Sequence, residues 1–311
     1  MTLFRCFILI CSLGLLGASA ADKKIVLVAG SVSHGHGEHE FRAGCLLLQT
    51  CLEKIPGITT VVYSNGWPNE AKAFEGADAI FIYSDGGPGH PAIQGNRLQI
   101  LGDLMNKGVG LGCAHYAVEV PKDKGGPELL QWTGGYFETY YSVNPHWNAS
   151  FTSFPTHPIT RGVKPFSILD EWYYHMRFPE DMKQVTPILT ALPPNGTRGR
   201  PGVLDEHGSN PEVQKHKDEP EHVMWAIERA DGGRGFGFTG GHFHKNWGDN
   251  NFRKTILNAI LWMVKIDVPQ NGVESTLTAE ELKLNLDDKG QNKPALAEKE
   301  KPKPTENIQK P

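Results

Sequence analysis

The stretch KIVLVAG at residues 24–30 constrains the fold most. It is apolar without alternation and is closed by glycine, as suits a strand covered on both faces of a parallel sheet. Helical spacing follows over residues 41–55 and ends at Pro56-Gly57. TTVVYS near Val62, AIFIYSDGG near Phe81 and VGLGCAH near Leu111 repeat the strand pattern, with an amphipathic helix at 94–107 between the last two. GRGFGFTGGHFH at 233–244 supplies a final core strand, and residues 251–264 a closing helix. Strand and helix in this rhythm predict an α/β fold: a mostly parallel sheet flanked by helices.

The chain has 311 residues, of which 39% are hydrophobic, enough for one α/β domain. No internal repeat is visible. Residues 1–21 carry Arg5, an apolar run and Ala18-Ser19-Ala20, the pattern of a signal peptide cleaved after Ala20 or Ala21. The run is shorter than the ~20 residues of a spanning helix, and no later segment is apolar for as long. The expectation is a secreted or periplasmic protein with no stable membrane insertion after cleavage. The domain proper is expected at 22–268, with long loops over 121–229, where Gly, Pro, Trp and Tyr abound. Residues 269–311 are charged and proline-rich and read as a disordered tail without a part in the chemistry, apart from a short helix candidate at 276–286. A net charge of -4 gives no basic footprint for nucleic acid. The mature cysteines Cys45, Cys51 and Cys113 are odd in number and irregularly spaced, so packing is expected of them rather than disulfides.

In open parallel sheets, ligands bind outside the carboxyl ends of the strands. The first strand runs into SVSHGHGEHEF, which places His34, His36, His39 and Glu40 there, and the third into Ser84-Asp85-Gly86-Gly87. The fourth runs into His115 and on to Glu119, and the last into Gly240-Gly241-His242-Phe243-His244. DEWYYH adds Asp170, Glu171 and His175. A histidine beside a carboxylate suits proton transfer, and it equally suits a metal site. Read for acid/base chemistry, His115 and Glu171, with Glu119 and His175, are the catalytic candidates, and His34, Asp85 and His242 the substrate-binding ones. Trp147 and Trp172 are candidates for stacking on a sugar. Read for metal, His34 or His36 joins His115 and His242 around a divalent ion such as zinc. His157, His207, His216 and His222 lack such context and are expected to be structural.

The first strand with SHGHGEHEF, the elbow GLGCAHYAVE, THPITRGV from Thr156, DEWYYH and GRGFGFTGGHFH together resemble the ThuA-like (trehalose utilisation) family, within the class I glutamine amidotransferase-like superfamily. The resemblance implies a flavodoxin-like fold and a link to carbohydrate catabolism, notably disaccharides and their keto-sugar derivatives. At the elbow tip, where an amidotransferase carries its cysteine nucleophile, this chain has His115, so glutaminase chemistry does not carry over. His34, His115, Glu171 and His242 match polar positions of the family pattern. The implied function is a secreted enzyme acting on a (keto-)sugar or glycoside by His/Glu acid/base chemistry, as a hydrolase, lyase or isomerase. A metal-dependent hydrolase or lyase and a non-catalytic carbohydrate-binding protein are the alternatives.

Overall fold

The computed structural model describes residues 22–70 and 72–290; the signal peptide expected at 1–21 and residues 291–311 lie outside them. Its first strand, β1 (Lys23–Ala29), buries Ile25 to Ala29 completely, as a run covered on both faces requires. The chain continues through α1 (Phe41–Leu52), β2 (Ile58–Tyr63), β3 (Ala79–Tyr83), α2 (Arg97–Met105), β4 (Gly110–Ala114) and α3 (Gly126–Trp132). Then come β5 (His146–Phe151), β6 (Phe166–Glu171), β7 (Val185–Ala191), α4 (Pro211–Lys215), β8 (Glu221–Glu228), β9 (Arg234–Phe238) and α5 (Asn250–Met263).

Seven strands form one sheet in the order β2-β1-β3-β4-β9-β8-β7. Neighbours from β2 to β9 pair in parallel, whereas β8 and β7 join antiparallel at one edge. On one face Leu27, Phe81 and Phe236 pack with Leu48 of α1 and Ile256 and Ile260 of α5. On the other, Val26, Ile80 and Leu111 meet Leu101 of α2 and Trp132 of α3. This is the expected mostly parallel sheet flanked by helices. Cys45, Cys51 and Cys113 are free and buried within it. Among the described residues no helix is long and apolar enough to cross a membrane.

The middle of the chain is more ordered than its composition suggests. β5 and β6 form a separate antiparallel pair, and β5 buries every second residue. Trp147 and Trp172, expected to stack on a sugar, lie beneath this pair as core residues. Trp172 is fully buried with its ring edge-on to Phe151 and Phe238, and the Trp147 indole N–H donates to the Trp172 carbonyl at 2.9 Å. Neither ring offers a face to solvent.

Residues 269–290, expected to be disordered, instead form a strap over α1 and α5. Val273 is buried and donates its N–H to Asn258 at 2.8 Å, while the buried Arg253 guanidinium donates to the Ser275 carbonyl at 2.9 Å. Leu277 and Leu282 pack on the core, and the helix candidate shrinks to one 3-10 turn, Glu281–Lys283. A few apolar residues spaced to meet existing grooves suffice here, because side chains in the folded body satisfy the strap's backbone.

Candidate metal centre

The carboxyl ends of β1, β3, β4, β6 and β9 converge, and each contributes to one cluster. β4 ends at Ala114, and His115 opens the 3-10 turn that follows, with a left-handed φ of 54° and no solvent exposure. Room for that turn depends on Gly86, whose Cα faces it so closely that a Cβ would stand 2.0 Å from the Tyr116 carbonyl oxygen. His115 Nδ1 lies 3.0 Å from the Thr239 carbonyl, just past β9. A carbonyl only accepts, so Nδ1 carries the proton and the Nε2 lone pair faces inward.

His39 comes from the loop after β1, also left-handed, with φ 46°. Its Nδ1 lies 2.8 Å from an Asp85 carboxylate oxygen, and Ser33 Oγ donates to the same oxygen at 3.0 Å. Nδ1 is therefore the donor, and His39 Nε2 also presents a lone pair inward.

His39 Nε2 stands 2.9 Å from His115 Nε2 and 3.1 Å from His242 Nδ1. His242 follows β9 and is held through its backbone: the fully buried Asp170 accepts from the N–H groups of Gly241, His242 and Phe243 at 2.7, 3.0 and 3.3 Å. Glu171, the last residue of β6, closes the set. Its Oε2 lies 3.1 Å from His242 Nδ1 and 3.5 Å from His115 Nε2, and its Oε1 accepts from Asn144 at 3.2 Å. The Tyr173 hydroxyl stands 3.4 Å from both His115 Nε2 and Glu171 Oε2.

Two neutral imidazoles whose lone pairs face each other at 2.9 Å repel unless a cation lies between them. His39, His115, Glu171 and His242 each offer one ligand atom, all within 4.8 Å of one another. A tetrahedral zinc site with bonds near 2.0–2.1 Å sets its ligand atoms ~3.3 Å apart, within the range of contacts seen here. Three imidazoles and a carboxylate with carboxylate and carbonyl outer partners are the donor set of zinc and related divalent ions.

Burial and the contacts among these four groups set their protonation, and three of the four directions leave a free ligand atom. Burial, followed by the neighbouring His39, holds His115 well below the usual histidine range although Glu171 pulls it up. Burial also lowers His39, helped by His34, His242 and Lys289. Burial would raise Glu171, but the hydrogen bond from His242 and the attraction of the imidazoles around it outweigh it and hold the carboxyl below its ordinary value. Burial opposes protonation of His242 as well, yet its bond to Glu171 wins and raises it.

The other expected residues take different places. His34 is exposed at the rim, its ring stacked on His39 at 3.5 Å and its Nδ1 4.0 Å from Asp85. His36 is exposed and joins no metal-sized group among the described residues, whereas His39, which shares its loop, turns inward. Asp85 holds His39 from behind. Glu119 is buried, but it pairs with His207 at 3.1 Å rather than with His115, because a 3-10 turn does not stack residues four apart. His207, expected to be structural, is thus that carboxylate's partner. His175 sits outside the cluster, its ring tilted against Tyr141 and its Nδ1 3.6 Å from Glu221, because β6 ends at Glu171 and the shared face with His175 ends with it. His146, exposed beside His242 with ring centres 4.9 Å apart, carried no sequence signal, nor did Asp170 as the anchor of the 241–243 backbone.

Comparison with solved structures agrees with this architecture. A ThuA-like protein from Bacteroides uniformis superposes with TM-score 0.56 at 16% identity, covering 82% of this chain and 97% of its own. A second, from Parabacteroides merdae, gives 0.52 at 15% identity, covering 84% and 98%. No curated protein sequence matches the chain. The sequence profile described as "Trehalose utilisation" matches residues 26–263, a span that contains His39, His115, Glu171 and His242. With that match over most of the chain, the protein belongs to the ThuA family.

Proposed function

We propose that this protein is a metal-dependent enzyme of carbohydrate catabolism, acting on a sugar or glycoside and above all on an oxidised, keto-sugar form. The observation that carries the metal is the pair of inward lone pairs on His39 and His115, 2.9 Å apart and held by Asp85 and Thr239. The family's tie to trehalose utilisation supports the substrate class. The secreted or periplasmic setting read from residues 1–21 belongs to the same proposal.

A divalent ion held there would supply Lewis acidity toward a carbonyl or hydroxyl oxygen, or toward a water. The protein's own groups do the rest. Tyr173, whose hydroxyl burial and then Glu171 hold well above the usual phenol range, stays protonated and donates toward Glu171. Glu171 stays ionised and is oriented by Asn144. His34 and His146 are exposed at the rim, where a sugar hydroxyl can reach them.

The test is elemental analysis of protein purified without chelator or affinity histidines, beside His39→Ala and His115→Ala. Near-stoichiometric metal that is lost in both variants is expected; no metal in the parent would sink the proposal. The ion pair of His242 and Glu171 at 3.1 Å favours a second reading, metal-free acid/base chemistry on the same substrates. Metal-free protein that turns over keto-glycosides, and stops with Glu171→Gln, would select it.

A further inference from the structure

The strap at 269–290 lies beyond the family match, yet it ends against the loop that carries His39. The Lys289 side chain, 3% exposed, reaches Glu40 Oε1 through its Nζ at 3.3 Å, where the Glu40 side chain has no exposure at all. The same ammonium donates to the carbonyl of Glu38 and lies 3.4 Å from that of His39. Glu40 stands at the N-cap position of α1 without capping it. Its Oε1 instead accepts from Gly37 N–H at 2.9 Å and its Oε2 from Asp287 N–H at 2.8 Å. Arg42 binds Asp287 at 3.2 Å, and His244, two residues past His242, binds the Leu282 carbonyl at 2.8 Å.

These contacts converge on one stretch. Residues 37–40 are also tied to the last loop, through His39 N–H to the His242 carbonyl at 3.0 Å and His244 N–H to the Gly37 carbonyl at 2.8 Å. The strap therefore grips the two loops that deliver His39 and His242. His39 is left-handed, a backbone state that a histidine keeps only when its surroundings over-determine it. A buried ammonium whose acceptors are the carbonyl of that residue, the carbonyl before it and the carboxylate after it supplies such a restraint.

We infer that Lys289, acting through Glu40 and the 38–39 backbone, is a positioning residue for His39, and that the strap is a working part of the centre. The inference rests on the metal reading for its effect on affinity but not for the restraint itself, so two readouts are needed on the full chain. One is the affinity for Zn²⁺ or Co²⁺ alone; the other is hydrogen exchange of the 37–41 amides without metal. Lys289→Met should weaken metal binding about 10–100-fold, the usual effect of losing an outer-shell partner. It should speed exchange at 37–41 while amides of α5 keep their protection. Lys283→Met, on an exposed residue of the same strap, should change neither.

If Lys289→Met does not yield folded protein, Glu40→Gln serves, since it keeps an oxygen for the Asp287 N–H and removes the charge. Wild-type affinity and unchanged exchange in the variant would overturn the strap's role and leave the metal centre standing. A parent protein that binds no metal would overturn the centre, and exchange alone would then decide the strap: faster at 37–41 supports the restraint, unchanged refutes it.

Discussion

Left-handed backbone at a residue with a Cβ costs about 1–2 kcal/mol that glycine does not incur, and His34, His39 and His115 all adopt it, with φ of 56, 46 and 54°. His115→Gly and His115→Ala should both lose metal, but the glycine variant should be the more stable by about 1 kcal/mol in denaturant unfolding. A second residue-scale prediction concerns Glu221. Burial would raise its carboxyl, but hydrogen bonds from His175 and Arg198 outweigh that and lower it. A lowered folded value means stabilisation that is complete above the ordinary glutamate range and fades as pH falls through the folded value. Glu221→Gln should cost about 3–5 kcal/mol near neutral pH, since it strands the fully buried Arg198 guanidinium. The gap from wild type should narrow in melts taken below about pH 4. At this scale the sequence was partly legible. Strand-end position singled out His115 and His242, and the carboxylate–histidine pairing in DEWYYH singled out Glu171, but which of His34, His36 and His39 turns inward depends on the left-handed backbone of their loop and on Asp85 from another strand, and spacing encodes neither.

The element that aims His115 is the short turn after β4, and it depends on Gly86. Gly86→Ala would drive a methyl group into the Tyr116 carbonyl, so the turn must move. About 1–3 kcal/mol of destabilisation is expected, together with weakened metal binding, measured by denaturant unfolding and metal titration on one preparation. Trp172 gives the opposite signature: Trp172→Phe should lower stability through lost packing and leave metal affinity and sugar binding as they were. A selective loss of sugar binding would return that ring to the site. The parallel strands were readable because unbroken apolar runs bounded by glycine mark them. β8, with the equally apolar VMWAI at its centre, sits in the stretch read as loops. Its antiparallel direction depends on the turn to β9, and a hydrophobic run carries no arrow. The strap was missed because composition averages over the few apolar residues that dock it.

Across the whole molecule, the four candidate ligands come from four distant parts of the chain. His39 and His115 are 76 residues apart, and His39 and His242 are 203 apart. No short peptide of this protein could assemble them, unlike a zinc finger, whose metal and fold arrive together. The sheet and its two apolar faces owe nothing to the cluster, so the socket is finished before anything can fill it. Dialysis against a chelator should strip the ion while the far-UV circular dichroism stays native. The melting temperature should fall only by what mass action on a bound ligand accounts for. Returning the ion should restore what was lost without any refolding step. Metal would then be a late guest in this protein's life, one that the compartment can give or withhold, and supply of the ion rather than success of folding would set how much of it is competent.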